Sequence, residues 1–297
     1  MIRPVNFGFN PETAVNNSFQ ENTGADVQQK ALEEFNGLVS LLENNHVRLT
    51  VINDTAKPST PDSIFPNNWI SFHEDGLVFI YPMFAVNRRL EKKPHILERL
   101  SRELSISKVI DLSCYEMENR FLEGTGSMVL DRVNRIAYAC LSPRTDAGLL
   151  NEWCRLAGYT PVSFISRDIT GKEIYHSNVM MCVADRYAVV CLDAIPDKKE
   201  QLRLSESLSA SGKEIIEISL QQLHCFAGNM LQITNKEGEL LLVMSTQAYR
   251  SLNHKQVNNL QRFNRIIHSP LDTIETSGGG SARCMLAEIF CNKIGTE

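Results

Sequence analysis

The sequence predicts an α/β fold built as a ring of five repeated modules. Three observations carry that expectation: apolar strand pairs alternate with helix-period segments, each pair closes on a short polar turn, and one polar landmark ahead of the pairs recurs at nearly constant spacing.

Five segments place apolar residues three and four apart: ADVQQKALEEFNGLVSLLEN, RRLEKKPHILERLSREL, DAGLLNEWCRLAG, KKEQLRLSESLSASG and HKQVNNLQRFNRII. Between them lie four hairpin patterns, NNWISF-HEDG-LVFIYP, SMVLD-RVN-RIAYACL, NVMMCV-ADR-YAVVCLD and NMLQIT-NKEG-ELLLVM. Each hairpin follows a short polar segment: FPNN, LEGTG, YHSN or FAGN. The landmarks Asn68, Glu123, His176, Asn229 and Cys284 are separated by 55, 53, 53 and 55 residues. A lone module cannot bury its sheet, whereas five in a ring place sheets inside and helices outside, and equivalent positions then face one axis. The reading is of a single domain over residues 1–297.

Composition narrows the function. With 297 residues, 43% hydrophobic and 22% charged, the chain can bury a substantial core. A net charge of −5 supplies no basic field for nucleic acid or an anionic membrane. No signal-like leader or membrane-length apolar run is visible, so a cytoplasmic protein is expected. The eight cysteines include no CxxC pair, and several lie in strand-like runs such as VMMCVA and AVVCLD, so they read as reduced core thiols.

At the shared axis the modules would bring together a thiol, an imidazole and a carboxylate. A nucleophilic cysteine must ionise, and His176 is the expected partner for Cys284. Taken singly, Cys284 also reads as a buried thiol, His176 as a strand-end histidine, Glu123 as a turn carboxylate, and Asn68 and Asn229 as loop residues. Their common register favours the catalytic reading.

These residues carry a family resemblance. E-G-x-G before one hairpin, H-x-N before the next, and GGG-x-x-RC-M near the C-terminus resemble the guanidino-group modifying superfamily, the penteins. The resemblance implies five ββαβ modules in a pseudo-fivefold propeller, with Cys284 as nucleophile and His176 and Glu123 as catalytic partners. The two aspartates that grip a guanidinium in arginine deiminases fall on Asn68 and Asn178. A neutral ureido group suits amides, while a cation would lack its compensating carboxylates. NFGFNPETAVNNSFQ and LEGTGSMVLDR also resemble the citrulline-hydrolase branch, which implies conversion of citrulline to ornithine, ammonia and carbon dioxide.

In that reading the N–H groups of Gly278, Gly279 and Gly280 are expected to stabilise the oxyanion, with Arg283 adding charge. Arg120 is expected to bind the substrate carboxylate, with Arg283 as second choice and Glu118 facing the ammonium. The partner is a small ureido or guanidino amino acid, no metal or organic cofactor is implied, and a homo-oligomer is left open. Alternatives are an arginine deiminase, a dimethylarginine hydrolase, an amidinotransferase, a non-catalytic amino-acid binder, or a cysteine protease.

Overall fold

The computed structural model describes residues 1–24, 26–292 and 294. Its strands are β1 (Ile2–Arg3), β2 (Ile52–Asn53), β3 (Ile70–Phe72), β4 (Leu77–Ile80), β5 (Lys108–Asp111), β6 (Val129–Asp131) and β7 (Ile136–Leu141). They continue with β8 (Thr160–Ile165), β9 (Met181–Val183), β10 (Tyr187–Val190), β11 (Glu214–Glu217), β12 (Leu231–Thr234), β13 (Leu240–Ser245) and β14 (Arg265–Ser269).

Four sheets share one plan. An antiparallel hairpin (β3–β4, β6–β7, β9–β10, β12–β13) is followed by a helix that returns the chain to pair a third strand parallel to the hairpin's second. In the longest pairing, Ile136 to Leu141 of β7 run beside Thr160 to Ile165 of β8. The fifth sheet is reduced to two residues each of β1 and β2, in parallel, joined through the helix Val27–Asn44. All four hairpins fall where the alternating pattern puts them. The RVN turn is closed by Asp131, whose carboxylate accepts from Asn134 N (3.1 Å) and forms a buried ion pair with Lys213 at 3.2 Å.

The returning helices follow the apolar period and carry their own start signals. Asp146 accepts from Leu149 N (2.7 Å) to cap Ala147–Ala157, and Asp197 accepts from Lys199 N (2.8 Å) to cap Lys198–Ala210. Asn253 and Gln256 form a reciprocal capping box on His254–Gln261. Two helical expectations are corrected. The segment 88–104 splits into Val86–Arg89 and Pro94–Glu103, because a residue preceding proline is held extended, as Lys93 is at ψ 128°. The segment 254–267 ends as a helix at Gln261, because β-branched Ile266 and Ile267 pair with the open edge of β13. The start of the first helical segment at Ala25 lies outside the described residues.

The apolar faces gather into clusters between sheets and helices. The largest joins β9, β10 and β13 residues to Leu204 and Leu208, and another packs Phe35, Leu38 and Leu42 against Val243, Ile267 and Met285. Six cysteines are buried as expected, but Cys114 is exposed and Cys225 half-buried. Among the described residues no helix is long and apolar enough to cross a membrane.

Candidate active site

Four landmarks sit where a chain segment turns into its hairpin, and the fifth, Cys284, lies in a turn after the last strand. Asn68 ends the 3-10 turn Pro66–Asn68, Glu123 and His176 precede the helical turns Gly124–Ser127 and Ser177–Met180, and Cys284 lies in the 3-10 turn Ala282–Met285. These turns converge, and two separate hydrogen-bonded groups form among them. His176 Nε2 lies 2.8 Å from Glu123 Oε2. Asn178 and Asn229 each donate an amide N–H to Cys284 Sγ, at 3.4 and 3.2 Å. All of these residues are buried.

Close approach at the centre depends on Gly126. A Cβ there would meet Asn68 Nδ2 and lie 2.7 Å from His176 Nδ1, so only a bare backbone lets the imidazole and the amide converge.

Glu123 has both oxygens occupied. Oε1 accepts from Phe84 N (3.0 Å), while Oε2 faces His176, Arg144 Nη1 at 3.5 Å and Arg88 Nη1 at 3.8 Å. Burial by itself would raise this carboxyl, but Arg144, His176 and Arg88 outweigh it and hold Glu123 well below the usual carboxylate range. Burial, reinforced by the two arginines, overrides the attraction of Glu123 and keeps His176 neutral at pH 7. With the Nε2 proton donated to Glu123, Nδ1 carries the free lone pair.

Sequence reasoning missed the surrounding charges. Arg88 donates Nε and Nη2 to the two oxygens of Glu91 (2.8 and 3.0 Å) and Nη1 to Asn68 Oδ1 (2.8 Å), with Asp62 Oδ2 at 3.9 Å. Burial pushes Glu91 up to about 7 despite Arg88, and burial likewise raises Asp62. Asp62 Oδ2 accepts from Asn10 (2.7 Å) and Thr13 (3.1 Å), while Oδ1 has no partner among the described residues.

These groups enclose a cavity of about 10 Å³, room for one water. It is lined by Asp62, Asn68, Arg88, Arg144, His176 and Cys284, together with Gly278, Gly279, Gly280 and residues of the N-terminal segment. That segment forms the roof. Arg144 donates to Thr13 O (2.7 Å) and Asn16 Oδ1 (2.8 Å from Nε), and Asn17 donates to Gly279 O (3.2 Å). Tyr175 OH also donates to Gly279 O.

Several expected site residues are placed differently. Arg120 is outside the cavity, bonded to Asp146 (3.2 Å) and Glu118 (3.3 Å) on a partly exposed surface. Arg283 is buried, but its guanidinium donates to Leu286 O (2.7 Å) and Glu288 (3.1 Å) and lines a separate depression of about 900 Å³. Asn178 lines that depression too, rather than the small cavity. Gly279 adopts φ +62° and gives its N–H to Glu275 O (2.9 Å), so it cannot also donate to an oxyanion. No hydrogen bond joins His176 to Cys284 among the described residues, so the expected imidazole–thiol contact is replaced by the two amides. Among the described residues no group of three or more His, Cys, Asp or Glu side chains is arranged for a metal ion.

The glycine run is anchored by Glu275, which accepts from Ser281 Oγ at 2.5 Å; its Oε2 has no partner among the described residues. Burial pushes Glu275 up to about 7 from 4.5. Because the folded state then binds the proton more tightly, this carboxyl contributes most stability below pH 4.5 and loses it as pH rises through about 7. Glu275→Gln is expected to remove that dependence. The thermal-melt difference between variant and parent should shift in the variant's favour by up to about 3 kcal/mol from pH 5 to pH 8.

Comparison with known proteins places this geometry. The chain is similar to apo ArgZ, an arginine dihydrolase from the ornithine–ammonia cycle in cyanobacteria, with TM-score 0.77, 16% identity and coverage of 97% of this chain and 40% of that one. It is also similar to AgrE in its ternary complex with ornithine and NAD+, with TM-score 0.73, 18% identity and coverage of 100% and 39%. A dimethylarginine dimethylaminohydrolase adduct with 4-chloro-2-hydroxymethylpyridine aligns with TM-score 0.61, 17% identity and coverage of 87% and 90%. The chain thus spans about 40% of the length of the first two, and at these identities the likeness is one of fold. No curated protein sequence matches it. The family described as N,N dimethylarginine dimethylhydrolase, eukaryotic, matches residues 3–291, so the chain belongs to that family, among the guanidino-group modifying penteins.

Proposed function

We propose that this chain is a cysteine-dependent hydrolase of the ureido group of citrulline, built as a pseudo-fivefold ring over residues 1–297. The observation that carries the substrate is the orientation of Asn68. Arg88 has only donors, so the Asn68 atom 2.8 Å from Nη1 is its oxygen, while Nδ2 gives one hydrogen to Asn67 Oδ1 (3.1 Å) and keeps its second for a substrate acceptor. A ureido oxygen accepts such an N–H; a guanidinium offers nothing that can.

Cys284 Sγ adds to the ureido carbon, and the Gly280 N–H is the remaining glycine donor for the oxyanion beside it. His176, neutral at rest, takes up at Nδ1 the proton that Cys284 loses, passes it to the departing nitrogen and then takes one from the water that releases the carbamoyl group, while Glu123 holds the ring. Citrulline and one water give ornithine, ammonia and carbon dioxide.

At the other end of the substrate, Arg144 suits the α-carboxylate, and the free Oδ1 of Asp62 suits the α-ammonium. Arg144→Met is expected to raise KM for citrulline about 100-fold, with a smaller effect on kcat, in steady-state assays.

A second reading, arginine dihydrolase, is favoured by the likeness to ArgZ and by two carboxylates in the site. Product analysis separates the two. Citrulline as substrate yields one ammonia per ornithine, while arginine yields two ammonia per ornithine. Methylarginines and agmatine complete the panel. Turnover of arginine with none of citrulline would overturn the assignment from Asn68.

A further inference from the structure

Asn229 has no role in the reaction as drawn above, yet of the two side-chain amides that donate to Cys284 Sγ it is the closer. It is fully buried, and its amide makes three contacts. Oδ1 accepts from the main-chain N–H of Arg283 at 3.0 Å. Nδ2 donates to the main-chain oxygen of Asn178 at 2.8 Å and to Cys284 Sγ at 3.2 Å. A main-chain N–H can only donate and a carbonyl can only accept, so both partners fix the amide with its nitrogen toward sulfur.

The backbone beneath is equally constrained. Asn229 N donates to Phe226 O (2.8 Å), and a Cβ on neighbouring Gly228 would lie 2.6 Å from the Met180 carbonyl carbon. Asn178 is the second donor to sulfur at 3.4 Å, but its Oδ1 has no partner among the described residues, so its amide is less firmly aimed. His176 spends Nε2 on Glu123.

We infer that Asn229 is a catalytic residue that stabilises the Cys284 thiolate by an aimed amide N–H, the part the imidazole plays in many other thiol enzymes. This rests on the reading of Cys284 as nucleophile. Hydrogen bonds to a charged acceptor are about twice as strong as neutral ones, so the donor favours S⁻ over S–H. The same amide ties three segments of the site, those of Asn178, Asn229 and Cys284, around the sulfur.

Asn229→Asp tests the inference. It keeps the shape and the acceptor for Arg283 N–H, but turns a carboxylate oxygen toward sulfur. The readouts are iodoacetamide modification of Cys284, followed by peptide mass mapping, and the thiolate ultraviolet absorbance relative to a Cys284→Ser counterpart. Asn229 does not line the substrate cavity, so the substitution adds no group to that cavity's wall.

The expected result at neutral pH is modification slowed about tenfold or more, a weakened thiolate band, and a lowered kcat with KM for citrulline little changed. Parental modification rate and absorbance in the folded variant would overturn the inference. If Asn229→Asp fails to fold, Asn229→Ser, whose hydroxyl falls short of sulfur, is read by the same criteria. Alkylation needs no substrate, so inactivity of the parent on citrulline would count against the substrate assignment and leave this test standing.

Discussion

Cys284→Ser is expected to abolish release of ornithine and ammonia from citrulline, a loss of about 10⁴-fold or more in kcat/KM. A serine hydroxyl is scarcely ionised at neutral pH, and the groups around position 284 are arranged for an anion, not for proton removal. Two amide donors face the sulfur, and the one imidazole at the site is bonded to Glu123. The variant should fold, since serine is slightly smaller and can use the same amides. Ammonia release and amino-acid analysis would measure the effect. Turnover within about tenfold of the parent would remove Cys284 from the chemistry.

The second large effect is on stability. Arg88 is buried among Glu91, Asp62 and Glu123, and it holds Asn68 as well. Arg88→Met removes the cation and leaves the carboxylates, an arrangement that costs about 3–5 kcal/mol when a buried pair is broken. At about 2 °C per kcal/mol for a chain of this size, the melting temperature should fall roughly 6–10 °C. The loss should also depend on pH. Burial already pushes Glu91 up to about 7 and raises Asp62, and without Arg88 both move higher still. Folded-state values above the unfolded ones stabilise at low pH and lose that contribution as pH rises. The defect should therefore be mild near pH 5 and full near pH 8. Equal destabilisation at both would show that the carboxylates do not feel Arg88.

Local pattern was enough to find four hairpins and five helical segments, because alternation and helical period are written in consecutive residues. It failed where tertiary contacts decide. Ile266 and Ile267 continue an apolar period that reads as helix, and only the edge of β13 makes them strand. β1 and β2 are too short to show any alternation.

At the site, regular spacing located Glu123, His176, Asn229 and Cys284, since a repeat fixes which positions face each other. The charges beside them had no such signature. Arg88 lies in NRRLEKK, which resembles a solvated helix start, and Arg144 sits in a turn, SPRTD. The same register could have found both: Arg88 follows Asn68 by 20 residues and Arg144 follows Glu123 by 21. Arg120 lies three residues before Glu123 in sequence, but its neighbours Asp146 and Glu118 hold it at the surface.

The roof over the cavity uses the same guanidinium that suits an amino-acid carboxylate. Arg144 is committed to Thr13 O and Asn16 Oδ1. On the proposed function, an arriving carboxylate must therefore displace backbone and amide oxygens of the protein's own N-terminal segment. The segment acts as a tethered competitor, and observed affinity equals the intrinsic affinity scaled by the fraction of molecules in which the tether has let go. Weakening the tether at Asn16 would tighten substrate capture without touching a single group that contacts the substrate's reacting carbon.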